Sequence, residues 1–305
     1  MIVRSEQGQA TALVAVLGAT VLWGLAPVAT RFLVQDADPM GLIAIRLAIG
    51  SACYLPLVPW MGLTEPRWTG RGLAAVTACA VVGIIAYNVS MTYGVQHVEA
   101  GLAGALLATE PLWIALLSVV VLKQELTRPL LWGFVVAFAG VVVLSVGGGI
   151  AFDPSMLLGA ALVLLGAFLW GVYSVAVGPL VRRYGSFRIS ALTLWLGTAP
   201  LLVVFADEVA AAARALDVVG WFVLFLYGVG AHLIGMLLWN YGLSKVPGTR
   251  AGLVLNLYPV VSIVGGVVLL GEAVEPVALV GCAVVVLGLV LSQDNALSRA
   301  VVRRR

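Results

Sequence analysis

The chain has 305 residues, 62% of them hydrophobic and only 10% charged, with a mean hydropathy of +1.10. So few charges cannot cover a soluble globule, where about a quarter of residues are charged. The pI of 8.9 reflects a net charge of only +3, and the 17 basic residues are scattered over short connections. They form no basic groove interleaved with aromatics, so nucleic acid is excluded as a partner.

Ten apolar segments follow in chain order, each near the roughly 20 residues that a helix needs to cross a bilayer. The first, 11–33, follows Arg4 and Glu6 and is too long for a secretory signal, so it reads as a mature helix containing Trp23, Gly24 and Pro27. Segment 40–60 carries Arg46, 72–95 carries Tyr87, Asn88 and Tyr93, and 99–122 carries Glu110, Pro111 and Trp113. After 129–147 come 155–179 with Trp170, then 188–206, then 218–243 with His232. Segment 249–270 holds Asn256, Tyr258 and Pro259, and 276–293 is the last before a basic tail, 296–305. Cys53, Cys79 and Cys282 all fall inside apolar stretches without a CxxC pair, so neither a disulfide framework nor a metal site is expected.

Counting Lys and Arg at the segment ends orients the chain. With the N-terminus inside, 14 of the 17 basic residues fall on the cytoplasmic side, only Arg31 and Arg214 fall outside, and Arg46 lies within a span. Both termini are therefore expected in the cytoplasm, in a bacterial inner membrane. Trp60, Trp68 and Trp221 lie near segment edges and fit interfacial anchoring. The connections are too short for a soluble catalytic domain.

The two halves repeat each other. Trp23-Gly24 recurs as Trp170-Gly171, 147 residues on; at an offset of 148, Tyr93-Gly94 meets Tyr241-Gly242, Ala103-Gly104 meets Ala251-Gly252 and Pro111 meets Pro259. Apolar bias does not readily produce matches at Trp, Pro and Tyr-Gly. The expected organisation is a five-helix repeat over 1–148, a second over 149–295 and the cytoplasmic tail. Because five is odd, the second copy enters the membrane from the opposite side, giving an all-α integral membrane protein of ten helices in two inverted repeats.

The WGLAP stretch from Trp23 to Pro27, the intramembrane Arg46, ATEPLW from Ala108 to Trp113 and LKQELT from Leu122 to Thr127 resemble the drug/metabolite transporter superfamily. YPV at Tyr258 followed by LGEAV up to Val274 extends the match, which is to the ten-helix exporters with EamA domains, amino-acid exporters among them. The resemblance covers essentially the whole chain and implies a central route between helices 1–4 and 6–9. One departure is Lys123-Gln124-Glu125, which shifts the acid by one position from the repeat partner of Gly271-Glu272. Equivalent roles for Glu125 and Glu272 therefore do not follow, and capping at a helix end accounts for either acid.

Glu110 is the leading site candidate, because a bare carboxylate at that depth must be protonated, paired or in a wet cavity. Binding a substrate amine, carrying a proton and tying the bundle together are its three readings. Arg46 either snorkels outward, pairs with Glu110 or orients a substrate carboxylate. Asn88, Asn256 and His232 can recognise polar groups or simply bond helix to helix, and His232, with an ordinary pKa of about 6.5, permits a switch. Trp23, Trp170, Tyr87, Tyr93, Trp113 and Tyr258 supply ring surface for a substrate or for core packing. Pro111 and Pro259 are matched candidates for kinks or gates.

These features predict export of amino acids or related small metabolites by alternating access, with an uncoupled facilitator or exchanger as the alternative. An intramembrane enzyme lacks its constellation, since the two histidines form no HExxH or comparable cluster. A nontransporting receptor leaves the repeat without mechanical use. No cofactor is expected, ATP hydrolysis is not expected without a phosphate-binding Gly-Lys-Ser/Thr loop, and the partners are a small-molecule substrate and membrane lipids. Nothing in the sequence demands a protein partner, so the chain is expected to act as a monomer.

Overall fold

The computed structural model describes residues 2–61, 68–122, 128–146, 154–245, 254–255, 257–273 and 276–292. Among these residues the chain is helical and has no strand. In chain order the main helices are α1 (Thr11–Leu33), α2 (Pro39–Leu57), α3 (Gly70–Val95), α4 (Ala100–Val121), α5 (Arg128–Val146) and α6 (Pro154–Tyr184). They continue with α7 (Ser186–Val204), α8 (Ala206–Ala215), α9 (218–245), α10 (Tyr258–Leu270) and α11 (Pro276–Ser292). Seven of them, α1 to α4, α6, α7 and α9, are long and apolar enough to cross a membrane. The apolar stretches of α5, α10 and α11 are shorter and fall on the fifth, ninth and tenth predicted spans.

The ends of these helices are set by short polar residues and glycine. Asp38 caps α2 by accepting from the Met40 and Gly41 amides at 2.8 and 3.1 Å, with Pro39 in the first turn where its missing N–H costs nothing. Thr69 caps α3 and Asp217 caps α9 in the same way. Gly271, at φ 68°, ends α10 in the left-handed region that a side chain disfavours. The sequence pattern gave no sign of α8, which lies between the seventh and eighth predicted spans. Its acidic first turn, Asp207 and Glu208, and its final Arg214 complement the helix dipole, while Ala212 is buried beneath Gly41 of α2.

The outer faces of the helices remain strongly apolar, with Val218 86% and Val203 78% exposed, as suits surfaces that lipid covers. Between helices, small residues allow close approach, and the close contacts recur at the repeat offset. A Cβ on Gly24 of α1 would meet Val261 of α10 at 2.7 Å; one on Gly171 of α6 would meet Trp113 of α4 at 2.9 Å. Gly50 of α2 lies against His232 of α9, as Gly197 of α7 lies against Ile84 of α3. Gly94 of α3 abuts Val163 and the Gly159 carbonyl of α6, and Gly242 of α9 abuts Val16 and the Ala12 carbonyl of α1. The same rule pairs α5 with α11, where Gly140 faces Val285 and Gly288 faces Ala137.

Two equivalent pairs meet each other directly. Ser51 of α2 and Thr198 of α7, 147 residues apart, share a hydrogen bond of 2.9 Å. The rings of Trp23 and Trp170, also 147 apart, touch edge to face at a centroid separation of 6.2 Å. Residues that contact their own repeat partner mark the line along which the two halves face each other. Helix irregularities recur too: α3 widens to a π-helix over Val81–Ala86 and α9 over Gly228–Gly235, segments that overlap when shifted by the repeat offset.

Candidate functional site

A cavity opens beside the Trp23–Trp170 contact, with an empty volume of about 690 Å³, counting space open to the outside. Both halves line it: Trp23, Tyr54, Tyr87, Asn88 and Glu110 from the first, and Trp170, Thr193, Tyr227, His232 and Tyr258 from the second.

Helix breaks place its deepest polar groups. In α4 the helix is interrupted at Ala108 and Thr109, where the Thr109 hydroxyl donates to the Leu106 carbonyl at 2.7 Å, and restarts at Glu110 with Pro111 in the new first turn. At the equivalent point α10 starts at Tyr258 with Pro259 in its first turn, after a turn at Leu257. Glu110 and Tyr258 thus begin matched helical segments, and a carboxylate there complements the local dipole. A third restart, unmatched in the sequence reading, follows Leu25 in α1, with Ala26 and Pro27 opening the next segment.

The π-helical segments shape the opposite wall. Gly83 and Ile84 from α3 and Ala231 and His232 from α9 reach the cavity from them. π-Helical turns leave carbonyls out of ordinary register, and three are taken by side chains: Asn88 Nδ2 donates to Ile84 O at 2.7 Å, Trp23 Nε1 to Ala231 O at 3.0 Å, and the Tyr54 hydroxyl to His232 O at 3.3 Å. The Trp23 bond crosses between the halves.

Arg46 lies behind this wall and is 3% exposed. Its Nη2 donates to Asn88 Oδ1 at 2.5 Å, and its guanidinium carbon lies 4.2 Å from the Tyr227 ring centroid. The Tyr227 ring lies nearly parallel to the His232 imidazole, 6.2 Å between centroids and 20° between planes. Arg46 therefore neither snorkels outward nor pairs with Glu110; its partners are an amide and a phenol ring. Glu110 is 7% exposed, lies beside the Tyr87 side chain in the cavity lining, and its Oε1 has no hydrogen-bond partner. Nε2 of His232 is buried and likewise without a partner.

Of the candidates read from sequence, Glu110, Asn88, His232, Trp23, Trp170, Tyr87 and Tyr258 come together around the cavity. Tyr93 does not: it packs on the cluster of Met40, Ile43 and Leu194. Trp113 lies behind the wall, edge-on to Phe168 and against Gly171. Asn256 falls outside the described residues. Tyr54, Tyr227, Ser190 and Thr193 line the cavity without having been anticipated. Thr193 alone had a usable signal, since it stands 147 residues after Arg46.

At the ends of the helices, charged groups cap other helices. Arg31 Nη1 donates to the Val95 and Gln96 carbonyls at 3.0 and 2.8 Å, at the C-terminus of α3. Glu272 Oε1 accepts from the Ala100 amide at 3.0 Å, at the N-terminus of α4. Each charge opposes the dipole it meets. The helix-end reading of Glu272 is thus the one its contacts follow.

The sequence profile of the EamA-like transporter family matches twice, over residues 10–146 and 157–293. The chain belongs to the EamA-like transporter family. A probable terminal-alkyne amino-acid exporter of Streptantibioticus cattleyicolor is 32% identical over 279 residues, covering 92% of each chain. An uncharacterized transporter of Archaeoglobus fulgidus is 28% identical across 90% of this chain and 96% of its own. Another, from Bacillus subtilis, is 23% identical across 95% of this chain and 88% of its own. A solved crystal structure superposes with a TM-score of 0.64 at 23% identity, covering 93% of this chain and 96% of that one, which shows a common fold. The chain is therefore a membrane-embedded, multi-pass transporter, and its relatives are transporters rather than enzymes.

Proposed function

We propose that this transporter exports amino acids or related small metabolites across the bacterial inner membrane by alternating access, with both termini in the cytoplasm. The observation that carries this reading is a cavity lined by both halves at the place where repeat-equivalent residues touch. In an inverted repeat, the two halves can exchange roles about such a line, so that one site faces each side in turn. The relative named as a probable amino-acid exporter supports the substrate class. The cavity's mixed aromatic and polar lining suits a small molecule that carries both charged and apolar parts.

The test is efflux from proteoliposomes loaded with a mixed pool of metabolites, with the external medium read by mass spectrometry. Amino acids should leave selectively and saturably, and not from protein-free vesicles. Release of no metabolite above the protein-free control would sink the reading. Repeating the assay with an imposed pH gradient separates coupled export from facilitated movement, since only a coupled route accelerates.

A further inference from the structure

The cavity contains a carboxyl group with a free oxygen and no positive partner among the described residues. Glu110 is more than nine-tenths buried, its Oε1 is unpartnered, and it lines the cavity. The arginine behind the cavity wall, Arg46, is committed to Asn88 and Tyr227. Such an oxygen is costly to leave bare in a protein interior, and a ligand that supplies a charged donor removes that cost.

The walls beside it are aromatic. Tyr87 lies beside Glu110 and 5.1 Å from Trp170 between ring centroids; Trp170 touches Trp23 in turn, and Tyr258, at the position matched to Glu110, also lines the cavity. Ring faces attract a cation through their quadrupoles, most strongly where water is excluded. A carboxylate in a cavity lined by such rings therefore favours an ammonium group and disfavours an anion of the same size. A neutral amide gains little here, because it brings no charge to the carboxylate.

We infer that the Glu110 Oε1 atom, within the rings of Tyr87, Trp170, Trp23 and Tyr258, receives the primary ammonium group of the transported molecule. This rests on the reading of the cavity as the transport site and narrows it: the free amine is the recognised feature, and the substrate's carboxylate is secondary.

Titration calorimetry on the purified full chain tests this with four probes that share an isobutyl group. L-leucine and 3-methylbutylamine both carry the ammonium; N-acetyl-L-leucine and 4-methyl-2-oxopentanoate do not. The two amines should bind, and the two acids should bind at least tenfold more weakly. Glu110→Gln, nearly the same in shape, should weaken both amines at least tenfold while its thermal unfolding stays close to the parent's; Trp170→Leu should weaken them less. Equal binding of L-leucine and N-acetyl-L-leucine overturns the inference, as does binding of neither amine, or amine affinity unchanged in folded Glu110→Gln. Selective amino-acid efflux from proteoliposomes alongside any of these results leaves the transport reading standing without the ammonium site, whereas absence of efflux removes the transport reading itself.

Discussion

In the first half of the molecule a glutamate opens the helix that resumes midway through α4; in the second half the equivalent position, opening α10, is a tyrosine. Arg46 and its equivalent, Thr193, differ just as sharply. Arg46 reaches out to Asn88 and Tyr227, whereas the Thr193 hydroxyl donates back to the Ile189 and Ser190 carbonyls of its own helix. At the glycine contacts the halves agree: Gly24 with Gly171, Gly50 with Gly197, Gly94 with Gly242. Shape is thus laid down twice and charge once. Duplicated geometry gives both halves the same close helix contacts, while unduplicated charge puts the Glu110 carboxyl in the cavity lining and Arg46 behind it.

The comparison predicts equal sensitivity where the halves agree. Gly94→Leu and Gly242→Leu each force a side chain against a neighbouring helix backbone, and each should lower stability by about 3 kcal/mol, read by thermal unfolding of the detergent-solubilised protein. If one is tolerated and the other is not, the two contacts are not equivalent. Where the halves differ, the response should differ. Arg46→Met strands Asn88 Oδ1 and should cost about 2 kcal/mol, whereas Thr193→Val, which gives up hydroxyl bonds to the Ile189 and Ser190 carbonyls of its own helix, should cost less than about 1 kcal/mol. Replacing Asn88 by Leu together with Arg46→Met should recover part of the loss, because it removes the stranded Oδ1 while costing the Ile84 carbonyl its bond from Asn88 Nδ2. The smallest effect belongs to the self-paired site: a double-mutant cycle of Ser51→Ala and Thr198→Val should give a coupling of about 0.6 kcal/mol, typical of hydrogen bonds between membrane helices. A coupling of zero would remove that bond from the contact between the halves.

Much of the frame was legible because a bilayer imposes length and hydropathy on each span. The seven long helices fall on predicted segments for that reason. Helix α8 escaped because an eleven-residue connection leaves no hydropathy signal, and its short amphipathic helix rests on a contact with Gly41. The repeat was visible at Tyr93-Gly94, yet the useful half of that dipeptide is the glycine, which admits α6; the tyrosine goes to packing. Trp113 belongs to the same class, matched in motif but turned to Phe168. Arg46 illustrates the limit in the other direction. Its choice between Asn88, 42 residues away, and Glu110 depends on which helix faces are apposed, and no periodicity in a uniformly apolar span records that. Tyr54 and Tyr227 were likewise hidden among rings with no motif around them.

The π-helical segments in α3 and α9 carry a consequence for length. Each accommodates more chain per turn than an α-helix, so everything beyond it is phased by the extra residue. Drawing Val81–Ala86 into ordinary α geometry with all its residues kept would turn the remainder of α3 by about 100°. Hydropathy, charge and span length would hardly change, but Asn88 would swing away from Arg46 and Gly94 away from α6. The transporter would then cross the membrane as before, with its cavity wall facing the wrong neighbour.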